Sequence, residues 1–184
     1  MVDQNSRRTW QCSACGRPKP RIGALDATIQ GLRSPSDPPL NFVYGFGIHL
    51  VRRDLLVTLG NDIVSRDLWV GRVFRNDGDE IANWATFRGK ARLVVRGSKH
   101  AGYRKCLRCK SIFYSALGAQ YLCPAPPTGR DLFESDLSGL IISEAILPSV
   151  IKTLRKWPKL RVQKLPVLDR PKDGLPIILG KEKD

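Results

Sequence analysis

The chain has 184 residues, 42% hydrophobic and 26% charged, with a formal net charge of +14 from 31 Lys and Arg against 17 Asp and Glu. That length accommodates one domain with a real core, and the composition excludes a disordered chain. The longest apolar runs, such as LPIILG at 175–180, fall far short of the ~18 residues a membrane-spanning helix needs.

The opening MVDQNSRRTW is polar and lacks the apolar h-region of a secretory signal, so a reducing, cytoplasmic compartment is expected. QCSACGRPKP at 11–20 follows, with Cys12 and Cys15 ahead of Pro and Gly residues that suit a tight knuckle. Residues 23–41 begin apolar and end in a Pro/Ser/Asp loop. FVYGFGIHLV at 42–51 is rich in aromatic and β-branched residues, which predicts a strand bent at its glycines. RRDLLVTLG reads as a short helix closed by Gly60, and NDIVSRDL as a second helical piece.

The clearest β signal runs over 68–96. LWVGRVFR alternates, NDGD at 76–79 has hairpin-turn chemistry, and EIANWATF and KARLVVRG read as return strands of a meander. SIFYSALGAQYLCP at 111–124 reads as a further hairpin turning at Leu117-Gly118. SEAILPSVIKTLRKW at 143–157 predicts the best helix, with Ser143 and Glu144 as its capping signal and Val150 and Leu154 pointing into the core. The Pro-rich tail from 165 is expected to run extended along the body. The fold class expected is α+β: one domain over 1–184, with paired knuckles at 10–20 and 104–124, a β-rich insert at 42–100, and a C-terminal helix and extended tail at 131–184.

Five cysteines in a reducing compartment favour metal binding over disulfides. Two thiolates two residues apart on a knuckle can share one metal, so each CxxC supplies half of a tetrahedral site. Cys12, Cys15, Cys106 and Cys109 are therefore expected to hold one structural Zn²⁺ in a split, zinc-ribbon-like arrangement. The alternative, two redox-active pairs, lacks the βαβ pattern such chemistry uses. Gly16 follows the first pair and relieves its crowded backbone, whereas Lys110 stands at that place after the second. Four thiolates also leave no open position for a water, unlike a catalytic zinc.

Little else carries chemistry. His49 lies inside an aromatic strand, His100 in a loop near Cys106, and Cys123 reads as a buried thiol. Asp131, Glu134 and Asp136 read as loop-solvating and turn-capping residues. No P-loop, dinucleotide fingerprint, nucleophile elbow or HExxH is present, so no enzyme is expected. Trp69 and Trp84 stand in opposite arms of the predicted hairpin and are expected to pack in or beside the core.

The charge points to partners. Residues 101–124 carry four basic side chains and no acid, and 151–164 carry six and none. A surface of this sign attracts acidic proteins or nucleic acid, and it also keeps a protein soluble. The partner face expected is Arg155, Lys156, Trp157 and Lys159 at the helix end, where Trp157 either anchors a contact or folds back as a lid.

The paired knuckles, together with DLFESDLSGLIISEAILPSVIKTL, resemble the bacterial double-CxxCG-motif proteins, a group that includes immunity proteins of polymorphic toxin systems. The likeness touches residues 12–16, 106–109 and about 131–154, including Asp131, Phe133, Ile141, Ile142, Ser143 and Glu144. The resemblance implies a cytoplasmic, non-catalytic binder whose zinc is a staple; for an immunity protein that neutralises a toxin, the basic surface of this chain implies an acidic face on that toxin. The competing reading is a zinc-ribbon-like nucleic-acid-binding protein, whose affinity is expected to be weak and salt-dependent.

Overall fold

The computed structural model describes residues 11–15, 23–29, 40–43, 48–98, 102–110, 112–114, 118–123, 126–135, 139–155, 157, 162–168 and 177–178. The class is α+β, with mixed sheets and few helices. The largest sheet is built from β1 (Ala27–Thr28), β2 (Leu40–Val43), β3 (Ile48–Arg52), β4 (Leu68–Phe74) and β5 (Glu80–Gly89), in the order β1-β4-β5-β3-β2. Only β1 runs parallel to its neighbour.

The β4–β5 hairpin forms as its sequence predicts. Its turn closes with Arg75 N–H donating to the Asp79 carbonyl at 2.8 Å, and Asp77 Oδ1 accepts the Asp79 N–H at 3.1 Å. Residues 42–51 divide into β2 and β3, which pair as a hairpin (Phe42 opposite His49), where the sequence predicts one bent strand.

Two helices, α1 (Arg53–Leu59) and α2 (Asn61–Asp67), separate β3 from β4. Gly60 divides them at φ 91°, a left-handed conformation that L side chains resist, and donates its N–H to Val57. Leu55, Leu56, Leu59 and Val64 face one side of the sheet and pack with Val51, Ala85, Phe87 and Leu132. On the other side Ala27, Leu50, Val73 and Trp84 form a second cluster, so β5 is covered on both faces. Trp84 is buried and Trp69 half-buried, in keeping with packing in or beside the core.

Beyond Gly89 the chain leaves this sheet, which corrects the predicted meander. β6 (Arg92–Leu93), β7 (Val95–Gly97), β8 (Gly102–Lys105), β9 (Ile112–Tyr114), β10 (Gln120–Leu122), β11 (Leu132–Ser135) and β12 (Leu140–Ile142) build smaller sheets. β6 runs parallel to β11, which pairs antiparallel with β12, and β7 pairs with β10. The hairpin predicted over 111–124 does not form, because β9 pairs back onto β8 while β10 pairs with β7. The departure occurs where β5 meets β11. A Cβ on Gly89 would overlap the Glu134 backbone and the Ala91 carbonyl, so only glycine permits this approach.

The C-terminal helix, α3 (Leu147–Leu154), is shorter than the predicted 143–157. Ser143 does not cap it: its hydroxyl donates to the Asp131 carboxylate and its N–H to the Asp131 carbonyl. Pro148 falls in the first turn, where its missing N–H has no helical acceptor to lose. Val150 and Leu154 are buried as predicted.

The tail runs extended where it is described. Leu122 donates to the Pro166 carbonyl and accepts from the Leu168 N–H, and β13 (Ile177–Ile178) pairs parallel with β8. No helix among the described residues is long and apolar enough to cross a membrane.

Candidate metal centre

The second cysteine pair sits at the tip of the β8–β9 hairpin. Lys105 is opposite Ile112 in the last rung, and residues 106–110 make the turn beyond it. The Lys110 N–H donates to the Cys106 carbonyl at 2.8 Å, and Lys110 holds φ 61°, the left-handed conformation that glycine adopts without strain. A lysine thus does the backbone work for which a knuckle favours glycine. The first pair lies on a turn over 13–15, and Cys12 is buried.

These two segments, far apart in sequence, bring four sulfurs together. All four Sγ atoms lie within 4.8 Å of one another. Cys12 and Cys106 sulfurs are 3.8 Å apart and those of Cys15 and Cys109 are 3.6 Å apart. Four thiolates at about 2.3 Å from a central ion define a tetrahedron with edges of about 3.8 Å. The spacing suits a shared ion and is far longer than the ~2.05 Å of a disulfide, and none of the four is in a disulfide. The Ala14 backbone N–H, bonded to the Cys12 sulfur, lowers that thiol's pKa against the opposing effect of burial, and the Cys15 N–H adds to the lowering. Backbone amides aimed at sulfur favour the thiolate, the form that binds metal. The four residues can hold a metal ion.

Lys105, Leu107, Arg108 and Lys110 surround the second pair and are all exposed. Cys123, by contrast, is buried apart from this cluster. His100 lies outside the described residues.

The expected partner face is partly described. Arg155 is exposed, while Lys156 and Lys159 lie outside the described residues. Trp157 is half-buried and covered by the Arg52 guanidinium, 4.5 Å above its ring. Arg52 is itself held by Asp54 through two hydrogen bonds of 3.2 and 2.8 Å.

Two buried polar centres escaped the sequence reading. Glu134, expected to solvate a loop, is a buried residue of β11. Its Oε2 accepts from Arg88 Nε at 3.1 Å and from the Gly89 N–H at 3.2 Å, and its Oε1 lies 3.7 Å from His49 Nε2. Burial pushes His49 down to about 4, with Arg92 and Arg88 adding to the effect and Glu134 opposing it. Its ring stacks on Phe87 at 5.0 Å. The second centre is Asp67, fully buried at the end of α2. It accepts the N–H groups of Asp131 and Leu132 at 2.8 and 3.0 Å and two hydrogen bonds from Arg66. Burial alone would raise Asp67, but these donors hold it down at about 2. For Glu134 the sequence signal is a carboxylate two residues from Leu132, on the same face of a strand, but its partner Arg88 lies 46 residues away. For Asp67 only Arg66 is adjacent, and the Asp131 and Leu132 amides lie 64 and 65 residues away.

No protein-family model, curated protein or solved structure matches the chain.

Proposed function

We propose that this chain is a non-catalytic binding protein whose fold is stapled by a structural Zn²⁺ on Cys12, Cys15, Cys106 and Cys109. The observation that carries this reading is the four-sulfur cluster with its tetrahedral spacing; four thiolates on one ion would leave it no open position for a water or substrate. Zinc is the metal of choice for four thiolates on two knuckles, because it has no geometric preference to satisfy and no redox chemistry. The buried charged groups support the same reading: Glu134 and Asp67 are consumed by internal donors and lie away from solvent, as architectural groups do.

The partner is a protein with an acidic face, and the function is of the immunity type, neutralising a bacterial toxin in the cytoplasm. Net charge of +14 and the resemblance of the knuckles and the 131–154 segment to double-CxxCG proteins support this assignment. Nucleic-acid binding is the second reading, favoured by the exposed Lys105, Arg108 and Lys110 beside the metal site. Elemental analysis and a pull-down from the native host, with and without nuclease, test both. One zinc per chain and a nuclease-resistant, stoichiometric protein partner are expected. A chain purified without bound metal, or capture that vanishes with nuclease, would overturn the reading.

A further inference from the structure

The metal hairpin lies in an unusual stretch of sequence. From 81 to 130 there is no Asp or Glu, while ten Lys and Arg residues occur. Its outermost point is the turn after β8. There Leu107 is 47% exposed, one of four large hydrophobic residues that the described part of the chain leaves open to solvent. Lys105, Arg108 and Lys110 stand around it, all exposed.

Three further observations make this more than a solvated turn. The backbone under Leu107 is fixed at both ends by cysteines of the four-sulfur cluster and across by the Lys110–Cys106 hydrogen bond, so presenting it costs little ordering entropy. A leucine exposed on a backbone already fixed in place offers apolar area to a partner without a further ordering cost. The charge around it is positive even after the centre is counted: four thiolates on a divalent ion carry two negative charges, against three cations that lie farther out. No ion pair to Lys105, Arg108 or Lys110 is present among the described residues. By comparison, the rival face at the end of α3 has its tryptophan already covered by Arg52.

We infer that the knuckle tip Lys105–Lys110 is the docking surface for the acidic partner, with Leu107 entering an apolar pocket and the three cations meeting carboxylates around it. This deepens the proposed function and rests on it. The partner element is an acidic protein segment carrying an apolar side chain.

The test uses the zinc-loaded full chain and a fluorescent peptide of about sixteen residues, rich in Asp and Glu around a central Leu-Phe pair. Binding is read by anisotropy at about 50 mM and 200 mM salt. Three variants are compared: Leu107→Ser, the triple reversal Lys105→Glu/Arg108→Glu/Lys110→Glu, and Arg155→Glu. Zinc content and melting temperature report that each is folded; the substituted side chains are exposed and leave the four sulfurs in place.

The triple reversal is expected to weaken binding at least tenfold at low salt and less at high salt. Leu107→Ser should weaken it about fivefold at both salts, and Arg155→Glu by less than twofold. Peptide binding that resists both knuckle variants but falls with Arg155→Glu overturns the inference and leaves the acidic-partner reading intact. A chain that ignores the peptide and binds a dT20 oligonucleotide overturns both. Should the triple reversal lose its zinc, the Leu107→Ser result alone decides, since that change removes no charge.

Discussion

Lys110 donates its N–H to the Cys106 carbonyl at 2.8 Å and adopts φ 61° to do so. A side chain with a Cβ is strained there by roughly 1 kcal/mol, and nothing local offsets this except closure of the knuckle. Lys110→Gly should therefore stabilise the metal-bound chain by about 1 kcal/mol, less the greater backbone freedom glycine gives the unfolded state. The measurement is the thermal midpoint and the chelator concentration that strips the metal. Both should rise; a lower midpoint would mean that the lysine side chain itself supports the centre.

Asp67 joins the end of α2 to the start of β11 by accepting the Asp131 and Leu132 N–H groups. Asp67→Asn keeps the shape but replaces one acceptor oxygen with an N–H₂ facing those donors and Arg66. A loss of about 3 kcal/mol is expected, the scale for breaking a buried, charge-assisted network. Denaturant unfolding of the two proteins measures it. A change below about 1 kcal/mol would show that Arg66 and Arg130 hold the junction without the carboxylate.

How much of this was legible beforehand follows from how local each signal is. The β4–β5 hairpin, the helices meeting at Gly60 and the inward turn of Val150 and Leu154 depend on neighbours within a few residues, and they appear in the alternation and spacing. The four-cysteine cluster was legible despite its separation, because two half-sites with the same spacing need each other. The pairing of β6 with β11 and of β7 with β10 was not. Strands of two or three residues carry no register of their own, and a glycine at 89 says nothing about which backbone will approach it. Glu134 was misread for the same reason: its partner Arg88 lies on another strand, and a carboxylate beside Asp131 looks like loop chemistry until that strand arrives. Ser143 likewise had the signature of a helix cap, but its hydroxyl is taken by Asp131.

The buried pair of titrating centres predicts a two-stage acid response. His49 has its pKa lowered to about 4 from an ordinary 6.5, so the unfolded chain binds a proton that the folded chain refuses. Stability is then fully present above about pH 6.5 and declines as pH falls toward 4, by up to about 3 kcal/mol at ~1.4 kcal/mol per pKa unit. Asp67, held at about 2, contributes stability that is present above its unfolded value near 4 and is lost as pH falls toward 2. Urea unfolding between pH 7 and 4 should show the first decline in the native chain and not in His49→Gln, whose side chain does not titrate. A flat profile in the native chain would mean that Glu134 pairs with a protonated His49 and cancels the burial effect.

The metal centre gives the last and most direct prediction. Cys106 contributes one of four sulfurs whose mutual distances suit a single ion, and its carbonyl closes the second knuckle. Replacing it with serine removes a soft, anionic ligand and substitutes a neutral hydroxyl that binds zinc poorly. Because the first knuckle and the β8–β9 hairpin meet at this cluster, an ion bound there would couple its affinity to folding. Cys106→Ser should lower the melting temperature by about 10 °C or more and leave less than about a tenth of the zinc bound. Excess EDTA should reproduce the loss of stability in the native chain but change little in the variant. Cys123→Ser separates this from a general thiol effect: Cys123 is buried outside the cluster, so zinc content should stay at one per chain. If instead Cys106→Ser melts with the native chain while EDTA has no effect, the sulfurs are held together by the fold alone, and the staple is not a metal.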